Sequence, residues 1–424
     1  MTPTFPLVKT MSVKVHPALN DPNIDARSPS NQRQMSIAIS TGKTQTEGRT
    51  APLNLCLILD RSGSMAGKPL NTVKEAACQM VDRLSPDDLL SVVAFDHKTE
   101  VLVASGPLSD PEAAKDAIAS LKTGGGTSID GAMKPAIEEL AKGKQGRISQ
   151  AFLLTDGENE HGDNDRALKL AELAVGYNIT LNCLGFGDRW NQDVLEKLAD
   201  AGGGTLSYIE DPQQVAQEFG RLFDRARSVQ LTNAHLLLTL SPEVRLAELK
   251  PIAQVSPETI ELTVQPEAGQ HAVRLGDLMA DAPRVVLVNL YVGQLEAGRH
   301  AIARLQVRYD DPAADKQGVT TEPVTVEANA VTGFVPAPDR DVQQHVWALA
   351  KYRQTQIAES KLKQGDRSGA ATLLQAAAKT ALQLGDDSGA TVLQTSATRL
   401  QAGEELTEGE RKKTRIASKT ILKP

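Results

Sequence analysis

Apolar residues along this chain fall into successive rhythms, each predicting a different kind of element. At 11–15 and 35–40 they alternate with polar or small residues, as in strands with one buried face, and 20–33 between them is rich in Asp, Pro, Ser and Asn, which reads as turns. From Pro52 the pattern changes. Short apolar runs at 55–60, 89–95, 100–104, 152–156, 179–186 and 205–209 take turns with amphipathic stretches at 68–84, 111–121, 129–142, 165–177, 192–201 and 212–227. Strands alternating with helices of this length require crossover connections, hence a mainly parallel sheet covered on both faces, a doubly wound α/β domain.

After 227 only strands are predicted, at 234–240, 244–249, 259–264, 271–275, 284–292, 301–309 and 324–328, separated by Pro, Gly and Asp. That is the pattern of an antiparallel β-sandwich. Two N-terminal strands cannot bury a face alone. They are expected to complete the sandwich, with the α/β domain inserted between its second and third strands. Pro336-Ala337-Pro338 ends it, and a long helix is predicted over 341–363. Gly365-Asp366-Arg367-Ser368-Gly369 and Gly385-Asp386-Asp387-Ser388-Gly389 then repeat one motif, in which glycine can end one helix and Asp or Ser cap the next. A compact three-helix bundle is expected, with a peptide-binding helical repeat as the alternative, followed by a solvated basic tail over 411–423 that could also meet an anionic partner. The expected domains are 1–48 (first sandwich strands), 49–227 (α/β), 228–335 (rest of the sandwich) and 336–424 (helical bundle and tail).

Composition narrows the class. With 424 residues the chain is too long for one ordinary core, and 3% aromatic content leaves that core aliphatic. A net charge of −7 argues against nucleic acid as the main partner. No run reaches the roughly 18 apolar residues of a membrane span, and the first twenty residues lack a signal-peptide pattern, so a cytoplasmic protein is expected. Cys56, Cys78 and Cys183 are odd in number and lie in apolar patterns without CxxC spacing, consistent with free thiols in a reducing compartment.

The chemistry gathers where the apolar runs stop. The run 55–60 ends on Asp60, and Ser62 and Ser64 follow through a turn that Gly63 permits. Gly124-Gly125-Gly126 delivers Thr127 just before a helical pattern, and the run 152–156 ends on Asp156. In an open α/β sheet these strand ends and this loop meet along the carboxyl edge, where such folds bind ligands. Carboxylates and hydroxyls are hard donors that suit Mg²⁺ better than soft metals. Asp60-x-Ser62-x-Ser64 with Thr127 and Asp156 resembles the metal-ion-dependent adhesion site (MIDAS) of von Willebrand factor A-type (VWA) domains, and the resemblance covers about 52–227. It implies a Rossmann-like fold and one Mg²⁺, with Mn²⁺ or Ca²⁺ as alternatives, held by those five residues. It also implies an open coordination position filled by an Asp or Glu of a protein partner, with a rearrangement reaching the helix at 212–227.

Glu158, Glu160 and Asp163 are expected to form an acidic, solvated rim. An Mg²⁺-dependent hydrolase is the enzyme alternative, but the chain has no phosphate loop ending in Lys-Ser or Lys-Thr, no GxSxG elbow and no histidine pair at zinc spacing. His97 and His161 are expected at the surface. The expectation is a binding module, not an enzyme. A regulatory or assembly subunit acting in trans on an ATP-driven chelatase or chaperone is the second reading.

Overall fold

The computed structural model describes residues 13–42, 51–280 and 282–419. The start of the strand expected at 11–15 and residues 420–423 of the basic tail lie outside them. The chain enters through β1 (Val13–Leu19), β2 (Asn23–Asp25) and β3 (Ser30–Thr41). It forms two compact units: one holds 51–232 with Asp310–Gln317, the other the remaining described residues.

The first unit runs β4 (Leu53–Asp60), α1 (Lys68–Arg83), β5 (Leu89–Phe95), β6 (Thr99–Pro107), α2 (Pro111–Ala119), α3 (Ile129–Lys142), β7 (Ile148–Thr155), α4 (Asn164–Gly176), β8 (Ile179–Phe186), α5 (Gln192–Ala201), β9 (Gly203–Ile209) and α6 (Val215–Ser228). Its strands lie in the order β6-β5-β4-β7-β8-β9, with β6 antiparallel to β5 and the other pairs parallel. Every residue of β4, β5, β7 and β8 is buried, as expected of parallel strands covered on both faces. Met133 and Leu140 of α3, Ala167 and Ala171 of α4, and Leu195 and Leu198 of α5 pack on Ile58, Val93, Leu153 and Cys183. Phe152, on the other face of β7, meets Phe219 of α6 edge-on with centroids 6.5 Å apart. Chain order reverses about β4 and β7, so the crevice at their carboxyl ends is the place for a ligand.

The strands that follow, β10 (Val229–Leu240), β11 (Val244–Leu246), β12 (Ile252–Ser256), β13 (Ile260–Glu261), β14 (Val264–Glu267), β15 (Gln270–Met279), β16 (Arg284–Gly293), β17 (Gly298–Asp311), β18 (Lys316–Thr320) and β19 (Val324–Val331), belong mostly to the second unit, with the first residues of β10, the last of β17 and the first of β18 in the first unit. One sheet has the order β1-β3-β16-β12-β13 with β11 also on β16; the other has β14-β15-β10-β17-β19-β2 with β18 on β17. The N-terminal strands thus pair with strands that follow the α/β region. Several details differ from the sequence pattern, among them β2 inside the expected turn region and β18 where no strand was expected. Residues 30–33, expected in a turn, belong to β3, because Asn31, Gln32 and Arg33 face Val292, Tyr291 and Leu290 of β16 in register. β12 has the composition IAQVS, without the β-branched run that marks a strand, and is held between β13 and β16. β2 pairs with β19 in parallel, where only antiparallel pairs were expected.

The chain ends in α7 (Arg340–Lys363), α8 (Arg367–Gln383), α9 (Asp387–Gln401) and α10 (Glu408–Ser418). The repeated motif works as its residues suggest. Gly365 and Gly385 take φ of 82° and 71° at the ends of α7 and α8. Asp366 and Asp386 then accept the Gly369 and Gly389 N–H at 2.8 and 2.9 Å. The expected three helices are four, because 411–418 is helix and not solvated tail. Thr407 and Glu410 open α10 with a reciprocal capping box, Lys412 is 1% exposed, and Arg415 pairs with Glu359 at 3.1 Å. Val342, Leu349 and Tyr352 of α7 pack on Val255, Val285 and Leu287 of the first sheet.

Candidate metal centre

β4 delivers Asp60 to the carboxyl edge with no exposed surface. One carboxylate oxygen accepts the Ser62 N–H at 2.7 Å and the other accepts the Thr155 hydroxyl at 2.5 Å, so the group is fixed from two sides. The turn beyond is tied to the glycine loop by two backbone bonds, Gly63 N–H to Gly125 O (2.8 Å) and Gly124 N–H to Arg61 O (2.7 Å). Only glycine fits at 124, since a Cβ there would stand 1.8 Å from Asp96 Oδ2. Asp96 is itself held by the Lys98 N–H at 2.6 Å and by Arg61 Nε at 3.3 Å.

The remaining donors close around this turn. Ser64 donates to Asp156 Oδ1 at 2.7 Å, the Ser62 and Ser64 hydroxyls are 3.0 Å apart, and Ser62 lies 3.5 Å from the same Asp156 oxygen. Thr127 is 3% exposed, and its carbonyl accepts the His161 N–H at 2.9 Å. Its hydroxyl would lie 3.1 Å from a Cβ on Gly157, so the missing side chain lets the Asp156 turn approach. Asp60, Ser62, Ser64, Thr127 and Asp156, distant in sequence, thus converge on one place. Ser64 alone of the five is exposed and marks the mouth.

Burial pushes Asp60 up to about 6; the Thr155 and Ser62 hydrogen bonds offset part of that rise and the Asp156 charge adds to it. Asp156 is raised too, chiefly by burial, with the serine hydroxyls opposing. Neither carboxylate has an ion pair among the described residues. Two buried carboxylates that make no ion pair, with Arg189 acting on Asp156 only at longer range, and three hydroxyls form a donor set that fits a hard divalent ion.

Sequence reasoning left out three supporting residues. Thr155 precedes Asp156 as the one hydroxyl in an apolar run, which was its signal. Asn159 accepts the Ile129 N–H at 2.7 Å, and Asp130 is 4% exposed and accepts the Asp163 N–H at 3.1 Å; neither has a spacing that marks it. Asp163, expected in an acidic rim, is exposed and also caps α4 by accepting the Asp165 and Arg166 N–H groups at 2.9 and 3.1 Å. Glu158 and Glu160 are exposed. His97 and His161 are also exposed, yet they cover the glycine loop: a Cβ on Gly125 or Gly126 would fall 2.2 or 2.1 Å from their rings.

The parallel sheet, its strand order and the residues at its carboxyl edge define a VWA-domain protein, and the von Willebrand factor type A domain family matches residues 54–221. Residues 340–424 match the Sll0103-like, C-terminal alpha-helical domain. The chain belongs to the family of uncharacterized protein sll0103 of Synechocystis, to which it is 55% identical over 414 residues, 98% of both chains. Human inter-alpha-trypsin inhibitor heavy chain H4 is 31% identical over 194 residues, 43% of this chain and 21% of that one. Among solved structures, a von Willebrand factor type A protein from Catenulispora acidiphila superposes with a TM-score of 0.80 at 19% identity over 98% of this chain and 99% of its own. The ArnB paralog VWA2 from Sulfolobus acidocaldarius gives 0.60 at 16% identity, over 96% and 97%. These two share the fold. No described helix is long and apolar enough to cross a membrane.

Proposed function

We propose that the protein is a metal-dependent protein-binding module, in which Asp60, Ser62, Ser64, Thr127 and Asp156 hold one Mg²⁺, with Mn²⁺ or Ca²⁺ as substitutes, and a partner's Asp or Glu side chain joins them at the mouth. The observation that carries this reading is the pair of buried carboxylates, Asp60 and Asp156, gathered with serine hydroxyls and joined in no ion pair among the described residues. When bound, the ion supplies positive charge that five ligands of this kind leave partly unneutralised, which favours an incoming carboxylate. The chain's own part is positional. Thr155 and the Ser62 N–H orient Asp60, the paired backbone bonds lock the serine turn to the Thr127 loop, and exposed Ser64 leaves the mouth open to solvent.

The two sheets of the second unit we read as one sandwich interrupted by the VWA domain; the pairing of β3 with β16 supports this. Three unpaired cysteines, two of them buried, support a cytoplasmic setting. Calorimetry on metal-stripped protein tests the site, and affinity capture tests the function. Wild type should bind Mg²⁺ and retain partners that EDTA releases, while Asp60→Ala/Asp156→Ala should do neither. Equal metal binding by both proteins would sink the assignment.

A further inference from the structure

The repeated glycine–aspartate motif sets α8 and α9 side by side through a short turn, and each helix then has two stripes to place. One stripe is spent on the bundle core, with Leu374, Ala377 and Ala381 of α8 against Leu393, Ala397 and Leu400 of α9. The other borders an open groove of 550 Å³. Its α8 wall presents Gln375, Lys379 and Leu382, and its α9 wall presents Thr391, Thr395 and Thr398, each at the three- and four-residue intervals of a single helix face. Ala378 and Ala390, themselves part of the bundle core and 3% and 4% exposed, form its floor, where small side chains permit close approach. Leu382 is 60% exposed, a large apolar side chain left at the rim.

The charges are one-sided. No carboxylate lines the groove, and Lys379 has no ion pair among the described residues. Arg399, at the far end, is already paired with Glu404 and Glu410. The walls run for about two to three helical turns, or ~10–14 Å. A helix can lie there with its own backbone satisfied, whereas an extended peptide would need a row of backbone partners that helix surfaces do not provide.

We infer that the α8–α9 groove docks an amphipathic helix of a partner protein, whose apolar residues pack on exposed Leu382 over the small-residue floor and whose Glu or Asp pairs with Lys379. A second copy of this groove would bring another Lys379 and no carboxylate, so self-association is the poorer match. Docking here needs no metal ion.

The test uses the full chain and fluorescence anisotropy with three designed, labelled helices: one with a leucine stripe flanked by Glu, the same with Lys replacing Glu, and a scrambled version of the first. The Glu helix should bind at least about tenfold more tightly than the others, in EDTA and in the Asp60→Ala variant alike. Lys379→Glu should reverse the preference toward the Lys helix, and Leu382→Glu should weaken the Glu helix by about tenfold. Both substituted side chains are exposed, and unchanged circular dichroism would confirm the fold. The inference is overturned by equal binding of the three helices, by no binding of the Glu helix up to about 1 mM, or by a preference that Lys379→Glu leaves intact. A dimer in sedimentation that Leu382→Glu dissolves would assign the groove to a second copy and overturn it equally.

Discussion

Thr155→Val removes one oxygen while keeping the shape of the side chain, and the structure says what that oxygen does. Its hydroxyl donates at 2.5 Å to Asp60 Oδ2, in a carboxylate with no exposed surface whose other oxygen is taken by the Ser62 N–H. Without it, one buried carboxylate oxygen has lost a charge-assisted partner, a cost of about 1.5–3 kcal/mol. For a domain of this size that corresponds to a fall in melting temperature of roughly 3–12 °C. Asp60 is also freed to rotate, so Mg²⁺ affinity should fall about 10–100-fold, the usual effect of removing a group that orients a ligand. Urea denaturation of metal-stripped protein reads the first effect and calorimetry with MgCl₂ the second. Thr155→Ser, which keeps the hydroxyl, should restore most of the metal affinity. If Thr155→Val stays within about 0.5 kcal/mol of wild type and binds Mg²⁺ equally well, Thr155 does not position Asp60.

Gly124→Ala would drive a methyl group into Asp96 Oδ2 and displace the loop that carries Thr127, so it should weaken Mg²⁺ binding, whereas Gly176→Ala, with nothing within 4 Å, should not; parallel titrations decide. Lys351 is buried, with Nζ 2.8 Å from Asp386 Oδ2 and 3.0 Å from Ala417 O, and burial holds its pKa below the usual lysine range. Lys351→Met should therefore destabilise the second unit, by up to about 3–5 kcal/mol, by removing the cation paired with Asp386, and adding Asp386→Asn, which still caps Gly389, should recover part of that in urea melts. Burial also lowers the pKa of His345, whose Nδ1 is 2.9 Å from Ser36 Oγ. The unfolded chain then takes up its proton first, so this contribution to stability is complete above pH 6.5 and is lost as the pH falls from 6.5 through the lower folded value. His345→Gln should flatten that part of the stability profile, although His235, also lowered by burial, will leave a residual slope.

The VWA domain and the strand-end positions of Asp60 and Asp156 were legible because parallel strands buried on both faces leave unbroken apolar runs, with β4 ending on Asp60 and β7 just before Asp156. Gly365 and Gly385 were equally readable, since a left-handed residue before an Asp cap writes helix ends directly into the sequence. What escaped depends on partners far along the chain. Asn31–Arg33 has turn composition and becomes strand only because β16 pairs with it, and β12 owes its place to neighbours, not to propensity. α10 was hidden by counting charges without asking which stems could be covered: Lys412 is buried and Arg415 is tied to Glu359. Asn159 and Asp130 support the site through loop geometry that no spacing encodes.

The ladder between β3 and β16 joins Ile39 to Arg284 and Ser30 to Gly293. On a ribosome adding ~5–20 residues per second, β3 therefore emerges on the order of 10–50 s before its partner exists. During that interval the intervening VWA domain can complete its own core, while Met35, Ile37 and Ile39, fully covered in the finished protein, have only β1 for company. A two-stranded ribbon is marginal by itself and is a template for intermolecular pairing. The nascent chain thus has its greatest need of a chaperone midway through synthesis, and slowing translation between codons 60 and 280 should raise the aggregated fraction more than slowing it after codon 300.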